Sequence, residues 1–232
     1  MKNDIRKDEP TSQSLRILVW DIPVRLFHWT QLGLLIGLYI TAEVLDDGIE
    51  LHAKLGIALL ALVLFRLMWG WFGSTYARFN RILHKPQQII FALRSLFSRQ
   101  PHFEAGHNAL GGIMVILLLS LVLLQAVFGL FSNDDILFDG PFSHLVSKDT
   151  SDLITSLHGL LFNVLLVLAG LHVAAIFWHQ LFKRDNLIRP MITGYKRLPP
   201  GITAENAQGG GLLRAILLAI VCGGAVYWAT LS

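Results

Sequence analysis

The segment from His158 to His172, HGLLFNVLLVLAGLH, is the feature that most constrains the fold of this chain. It carries no charge, and Asn163 is the only polar residue between the two histidines. An apolar run of this kind, which continues to Phe182, predicts a membrane-spanning helix. In a helix, a spacing of 14 residues places two side chains on nearly one face, about 21 Å apart along the axis. Because an imidazole gains nothing by facing lipid, we expect each histidine to have a partner inside the protein.

The composition indicates an integral membrane protein. Hydrophobic residues make up 53% of the 232 residues and charged residues 15%, whereas a soluble domain carries about 25% charge. The apolar stretches are continuous runs near the length of a bilayer, which favours helices over a barrel. The net charge of +3 does not indicate nucleic-acid binding. The single cysteine, Cys222, excludes both a CxxCH attachment site for a c-type haem and a thiolate set for an iron–sulfur cluster.

Five membrane spans are predicted, separated by polar connections. They cover residues 24–42, 51–72, 109–131, 153–182 and 212–231. Residues 1–16 are expected to form a disordered tail, residues 17–196 one transmembrane domain, residues 197–211 a linker, and residues 212–232 a C-terminal transmembrane helix.

The distribution of lysine and arginine predicts the orientation of these spans. The tail through Arg25 holds five of these residues, the 73–107 loop five, and residues 183–214 six. The 43–51 turn has none, and the 132–152 loop has only Lys148. Since positive charge is retained on the cytoplasmic side, the N-terminus is expected in the cytoplasm and the C-terminus in the periplasm of a bacterial inner membrane.

Four histidines match in pairs by depth. His52 and His158 lie at the outer level, and His28 and His172 lie at the inner level, each pair on two antiparallel helices. Such pairs are typical of axial ligands to haem iron, so two levels predict two b-type haems. A lone membrane histidine is more often a packing or proton-relay residue, but four in matched pairs favour haem. Zinc or copper transport is the main rival use, and it favours carboxylates or thiolates within the spans, which the sequence lacks.

Three basic residues are candidates for contacts with the cofactors. Arg66 lies 14 residues after His52 and so reaches the inner level, where it would pair with haem propionates or extend to the membrane surface. Arg25 is a second candidate for the propionates, or a plain positive charge on the cytoplasmic side. Lys54 would serve the outer haem or a quinone carbonyl, or be an ordinary interfacial lysine.

Five segments of the chain resemble the bacterial cytochrome b561 family. They are VRLFHW, LHAKLGIALLALVLFRLMWG, GHNALGGIMV, LHGLLFNVLLVLAGLH and KRDNLIRPM, and the likeness extends from Val19 to Lys196. The family is related to the b-type membrane subunits of nickel–iron hydrogenases. The resemblance implies an all-α, antiparallel four-helix transmembrane bundle holding two haems. The ligands it implies are His28, His52, His158 and His172.

The resemblance also implies a function. Such proteins transfer electrons in a respiratory chain between the quinone pool and a redox partner, often a c-type cytochrome or a hydrogenase-like subunit. The fifth, C-terminal span departs from the small four-helix members of the family. Two alternatives stay open, a self-contained quinone-coupled oxidoreductase (a superoxide oxidase or a metal reductase) and a non-redox metal transporter.

Overall fold

The computed structural model describes residues 15–98, 104–136, 138–199, 202 and 204–231, and most of this part of the chain is helical. The helices are α1 (Ile22–Glu43), α2 (Ile49–Phe72), α3 (Phe79–Ile82), α4 (Pro86–Arg94), α5 (Ala109–Phe131), α6 (Lys148–Leu181), α7 (Ile188–Thr193) and α8 (Leu212–Leu231). Two strands, β1 (Leu15–Leu18) and β2 (Tyr195–Leu198), pair antiparallel, and 3₁₀ turns lie at Thr75–Ala77 and Ser143–Leu145.

Four of the long helices, α2, α5, α6 and α8, have the length and hydropathy needed to cross a membrane. The chain is therefore a helical multi-pass membrane protein. α1 is not among these four, because Arg25, His28 and Gln31 make its first half polar. Its crossing stays a prediction from its length of 22 residues. α6 begins at Lys148, before the predicted start at residue 153, because the side chain of Ser147 caps its first turn.

A small β-sheet departs from the all-α prediction. β1 pairs with β2 in a register that sets Arg16 opposite Arg197 and Ile17 opposite Lys196. Residues 15 and 16 of the predicted disordered tail thus belong to a strand, while residues 1–14 lie outside the described part of the chain. No pattern in the sequence predicts this pairing, because each strand has four residues and the two are about 180 residues apart.

The sheet belongs to a layer at the end of the bundle where α1 begins and α2 ends, which we call the platform side. There the Ala207 amide donates to the Leu18 carbonyl at 2.7 Å, and the Thr75 amide donates to the Gln208 carbonyl at 2.9 Å. The predicted linker, residues 197–211, is in this way bonded to β1 and to the turn after α2. These bonds hold the start of α8 beside the end of α2.

The apolar core is centred on α2. Leu59, Val63 and Trp69 of α2 are almost fully buried, together with Val122 of α5. α2 packs against α1, α5 and α8, whereas the extensive packing of α6 is with α5 alone. α6 accordingly has a single buried apolar side chain, Leu165. A gap with little backbone packing therefore separates α6 from α1 and α2.

A polar node fixes the α5–α6 connection at the opposite end, which we call the far side. The Asn133 side-chain amide donates to Ser151 Oγ at 2.6 Å and to Asp152 Oδ1 at 3.0 Å. Ser151 Oγ in turn donates to the Phe131 carbonyl at 2.7 Å. Lys148 forms ion pairs with Asp152 and Asp135. This node sets the height of α6 against α5, and with it the depth of the histidines of α6.

The buried ion pair between Lys196 and Asp185 provides a test of the platform. Lys196 Nζ lies 3.1 Å from Asp185 Oδ2 and 3.0 Å from the Glu104 carbonyl, and both side chains are about nine-tenths buried. Asp185→Asn leaves a buried lysine unpaired, so we expect the free energy of unfolding to fall by about 3 kcal/mol or more. Denaturant unfolding in mild detergent, followed by circular dichroism, measures it.

The exposed ion pair between Lys54 and Glu50 is the matched control. These groups are 3.7 Å apart with side chains 72% and 82% exposed, so Glu50→Gln should change the free energy of unfolding by less than about 1 kcal/mol. Equal effects of Asp185→Asn and Glu50→Gln would contradict a structural role for the buried pair.

Candidate functional site

His52 of α2 and His158 of α6 face each other across the gap. Their ring centroids are 6.2 Å apart and the ring planes are inclined at 77°. His52 lies in the first turn of α2 and His158 about three turns into α6. The structure thus brings together the pair that was predicted for the outer level.

The hydrogen bonds of His52 define which of its nitrogens is free. Nδ1 lies 3.1 Å from the Leu38 carbonyl and 3.2 Å from Thr41 Oγ1. Because a carbonyl only accepts, the bond to Leu38 assigns the proton to Nδ1 and leaves Nε2 with its lone pair. Thr41 is 5% exposed and its hydroxyl is within bonding distance of the Gly37 carbonyl, so α1 holds the ring from behind.

His158 is packed against α5. Its Nδ1 is buried and has no hydrogen-bond partner among the described residues. A Cβ added at Gly129 would stand 3.3 Å from His158 Cε1, so glycine at this position lets α5 approach the ring closely. The ring is therefore fixed from the α5 side, and its other edge faces His52.

His28 and His172 lie deeper toward the platform side, on α1 and α6. The two histidines are near enough to interact electrostatically. Nδ1 of His28 is buried and has no hydrogen-bond partner among the described residues, and the ring packs edge-on against Trp29 at 5.1 Å. The pair predicted for the inner level therefore also shares one region across the gap.

Arg66 is buried beside this inner region. It is 4% exposed, and its Nη2 donates to the Ala77 carbonyl at 3.2 Å. The guanidinium lies 5.9 Å from the ring centroid of Phe27 and 5.7 Å from that of Phe79, between two apolar faces. Its Nη1 is buried without a partner in the described chain. Arg66 therefore does not extend to the membrane surface, which was the alternative prediction.

His107, which the sequence analysis did not assign to the inner level, is a half-buried histidine of the same region. Its ring centroid is 4.6 Å from that of Trp20, and its Nδ1 has no partner among the residues the structure describes. Burial and the charge of Arg66 lower the pKa of His107 to about 3, so the imidazole is neutral at neutral pH. Only its place directly before the third span hinted at this position in the sequence.

The two remaining basic candidates lie elsewhere. Arg25 Nη1 donates to the Ile192 carbonyl at 2.6 Å, which joins the start of α1 to the end of α7. Lys54 is exposed and paired with Glu50, and the structure does not bring it to the His52–His158 pair. Among the described residues, no group of three or more His, Cys, Asp or Glu side chains is placed to hold a metal ion.

One family model covers most of the chain. The model of the family described as prokaryotic cytochrome b561 matches residues 19–194, which include all four histidines of the two pairs. No curated protein and no solved structure matches the chain significantly. Membership of the matched family implies b-type haem and electron transfer in the membrane. The chain belongs to the prokaryotic cytochrome b561 family.

Proposed function

We propose that this protein holds two b-type haems and transfers electrons between the quinone pool and a redox partner. In this proposal His52 and His158 are the axial ligands of the outer haem, and His28 and His172 those of the inner haem. The observation that carries the proposal is the facing of the His52 and His158 rings at 6.2 Å across a gap between helices. A bound haem supplies an iron centre that takes up and releases one electron at a time.

The residues present fit such a group. A metal–imidazole bond is about 2 Å long, so two ring centres about 6 Å apart leave room for one ion between them. The Nδ1–H of His52 donates to a backbone carbonyl, which is the usual arrangement behind a metal-ligating histidine. Gly33, Gly56 and Gly170 have open space where a Cβ would stand, so a flat macrocycle could approach the backbone of α1, α2 and α6 at these positions.

Arg66 and Arg25 are the proposed counter-charges for haem propionates. The unpartnered Nη1 of Arg66 and the unpartnered Nε of Arg25 are buried N–H donors, and a carboxylate would satisfy either. A charged arginine that is buried without an anion is costly. A negatively charged partner such as a propionate would therefore stabilise Arg66 in the apolar core. Lys54 remains a proposed contact of the outer haem or a quinone carbonyl, although its side chain is exposed.

The orientation of the protein is proposed from its basic residues. The platform side carries nearly all lysine and arginine outside the spans, while the far side has Lys148. We therefore place the platform side in the cytoplasm of a bacterial inner membrane, and the C-terminus in the periplasm.

A cavity on the platform side supports the coupling to quinone. It has a volume of about 250 Å³ and lies between α4, the start of α5 and the end of α6. Its walls combine apolar residues of α4 with His179, Lys183 and Asn108. Apolar surface with a few polar groups is typical of sites for small amphipathic molecules. His179 lies seven residues beyond His172, so the cavity is about two helical turns from the inner histidine pair.

The redox partner is proposed to dock on the far side. A c-type cytochrome or a hydrogenase-like subunit would meet the acidic 132–152 loop there. Lys148 pairs with Asp135 and Asp152, so part of that negative charge is already neutralised. Charge steering by this loop is therefore weaker than its sequence suggests. A self-contained quinone-coupled oxidoreductase, acting on superoxide or a metal ion, is the second candidate.

Replacing one ligand at a time tests the haem proposal. His158→Ala should remove the outer haem and His172→Ala the inner one, because each iron loses an axial ligand. We expect each variant to keep about half the haem of the unaltered protein, as measured by the absorbance of the reduced b-type α band per mole of protein. His144→Ala, in the exposed 3₁₀ turn Ser143–Leu145, is the control and should keep the full amount. Full haem content in both ligand variants would refute the assignment.

Arg66→Met tests the counter-charge. Loss of a buried donor to the propionates should weaken retention of the inner haem about 10-fold to 100-fold, as is typical of outer-shell partners, and leave the outer haem bound. Haem transfer to an excess of apomyoglobin measures retention. Arg214→Met removes another arginine that donates to a backbone carbonyl, that of Phe72, and should have no effect. Equal retention in Arg66→Met and the unaltered protein contradicts this role.

His179→Ala tests the quinone cavity. Loss of a proton-transferring side chain should slow haem reduction by a ubiquinol analogue about 100-fold, while reduction by dithionite remains complete. Stopped-flow absorbance measures both, with His144→Ala as the control outside the cavity. Unchanged quinol kinetics in His179→Ala would place quinone elsewhere.

A further inference from the structure

A second cavity on the platform side is lined by arginines. It has a volume of about 200 Å³ and lies between the β1–β2 sheet and the segment from the end of α6 through α7. Its basic lining consists of Arg16, Arg184, Arg189, Arg197 and Lys196. We call this cavity the arginine pocket.

The charge of the arginine pocket is not compensated within the described chain. Asp185 is its one carboxylate, and that group already pairs with Lys196 at 3.1 Å. The guanidinium groups of the four arginines form no ion pair and donate no hydrogen bond among the described residues. Arg16 instead lies 4.2 Å above the ring of Tyr195. Four guanidinium groups with free donors thus surround one small space.

The sheet concentrates two of these charges at one point. Arg16 and Arg197 are direct partners in the antiparallel register, and both are on its exposed face. Like charges directly opposite each other destabilise a strand pair. An anion between the two guanidinium groups would convert this repulsion into attraction, and the planar donors of arginine suit the oxygens of a phosphate.

The surroundings of the pocket indicate the level of the lipid headgroups. On α7, the apolar Ile188 and Ile192 are exposed one turn apart, next to Arg189. The indole of Trp29 donates to the Met191 carbonyl at 3.1 Å and is itself 43% exposed. Exposed tryptophan and isoleucine beside arginine are typical of the membrane interface. Basic pockets at this level bind anionic headgroups.

We propose that the arginine pocket binds a phosphate group, carried by the headgroup of an anionic phospholipid or present as a free phosphate anion. Arg16 and Arg197 hold the phosphate from the sheet, and Arg184 and Arg189 hold it from the α6–α7 segment. This site is separate from the histidine pairs, so it does not depend on the redox proposal.

The test uses the full-length protein in nanodiscs of phosphatidylcholine alone, with added phosphatidylglycerol, or with added inorganic phosphate. Phosphatidylglycerol should raise the thermal midpoint of the unaltered protein, and fluorescent phosphatidylglycerol should bind it in detergent. Arg16→Gln/Arg197→Gln should abolish the rise and weaken binding about tenfold or more, because two charge-assisted contacts are lost. The control, Arg81→Gln/Arg94→Gln, removes two exposed charges from the platform side outside the pocket and should behave as the unaltered protein.

A rise with phosphatidylglycerol alone identifies the headgroup, and a rise with inorganic phosphate in phosphatidylcholine identifies the free anion. In phosphatidylcholine without phosphate, Arg16→Gln/Arg197→Gln should be at least as stable as the unaltered protein, since a repulsion has been removed. If it does not fold, Arg184→Gln/Arg189→Gln replaces it and should lose the same binding. Binding that is equal in the pocket and control variants, or absent from the unaltered protein, would overturn the proposal.

Discussion

The need of buried imidazoles for partners is the constraint on which this structure depends. The backbone of α6 packs against α5 but hardly against α1 or α2, and α6 reaches α1 through side chains such as Phe162, whose ring stacks on that of Tyr39 at 6.1 Å. His52 and His158 face each other between these helices, and His28 and His172 lie nearer the platform. Nδ1 of His52 is held by a carbonyl, so its remaining nitrogen is directed at the gap.

Two polar assemblies at the ends of the bundle maintain this frame. On the far side, the node around Asn133 ties α5 to the start of α6 and sets the depth of His158. On the platform side, β1, β2 and the segment before α8 bind one another through backbone hydrogen bonds, and the Lys196–Asp185 pair is buried beneath them. Because lipid provides no strong force to order helices, such end caps do much to fix their register.

The platform also carries the two cavities for which binding is proposed. The cavity that contains His179 opens near the end of α6, and the arginine pocket lies beyond it, against the sheet. Arg66 and His107 each carry a buried nitrogen without a hydrogen-bond partner among the described residues. The far side, in contrast, has neutralised part of its acidic charge internally through Lys148.

The sequence by itself determined the helical membrane class, the family, and the pairing of His52 with His158 by depth, because hydropathy and helical spacing are local properties. The sequence also indicated Arg66, because the 14 residues from His52 to Arg66 make up about four helical turns and place both side chains on nearly one face. Only the tertiary structure decided the β1–β2 pair, the contact of His107 with Trp20, the exposure of Lys54 and the support of His52 by Thr41 and Leu38. These depend on how loops and neighbouring helices meet, and contacts between distant parts of the chain leave no period in the sequence.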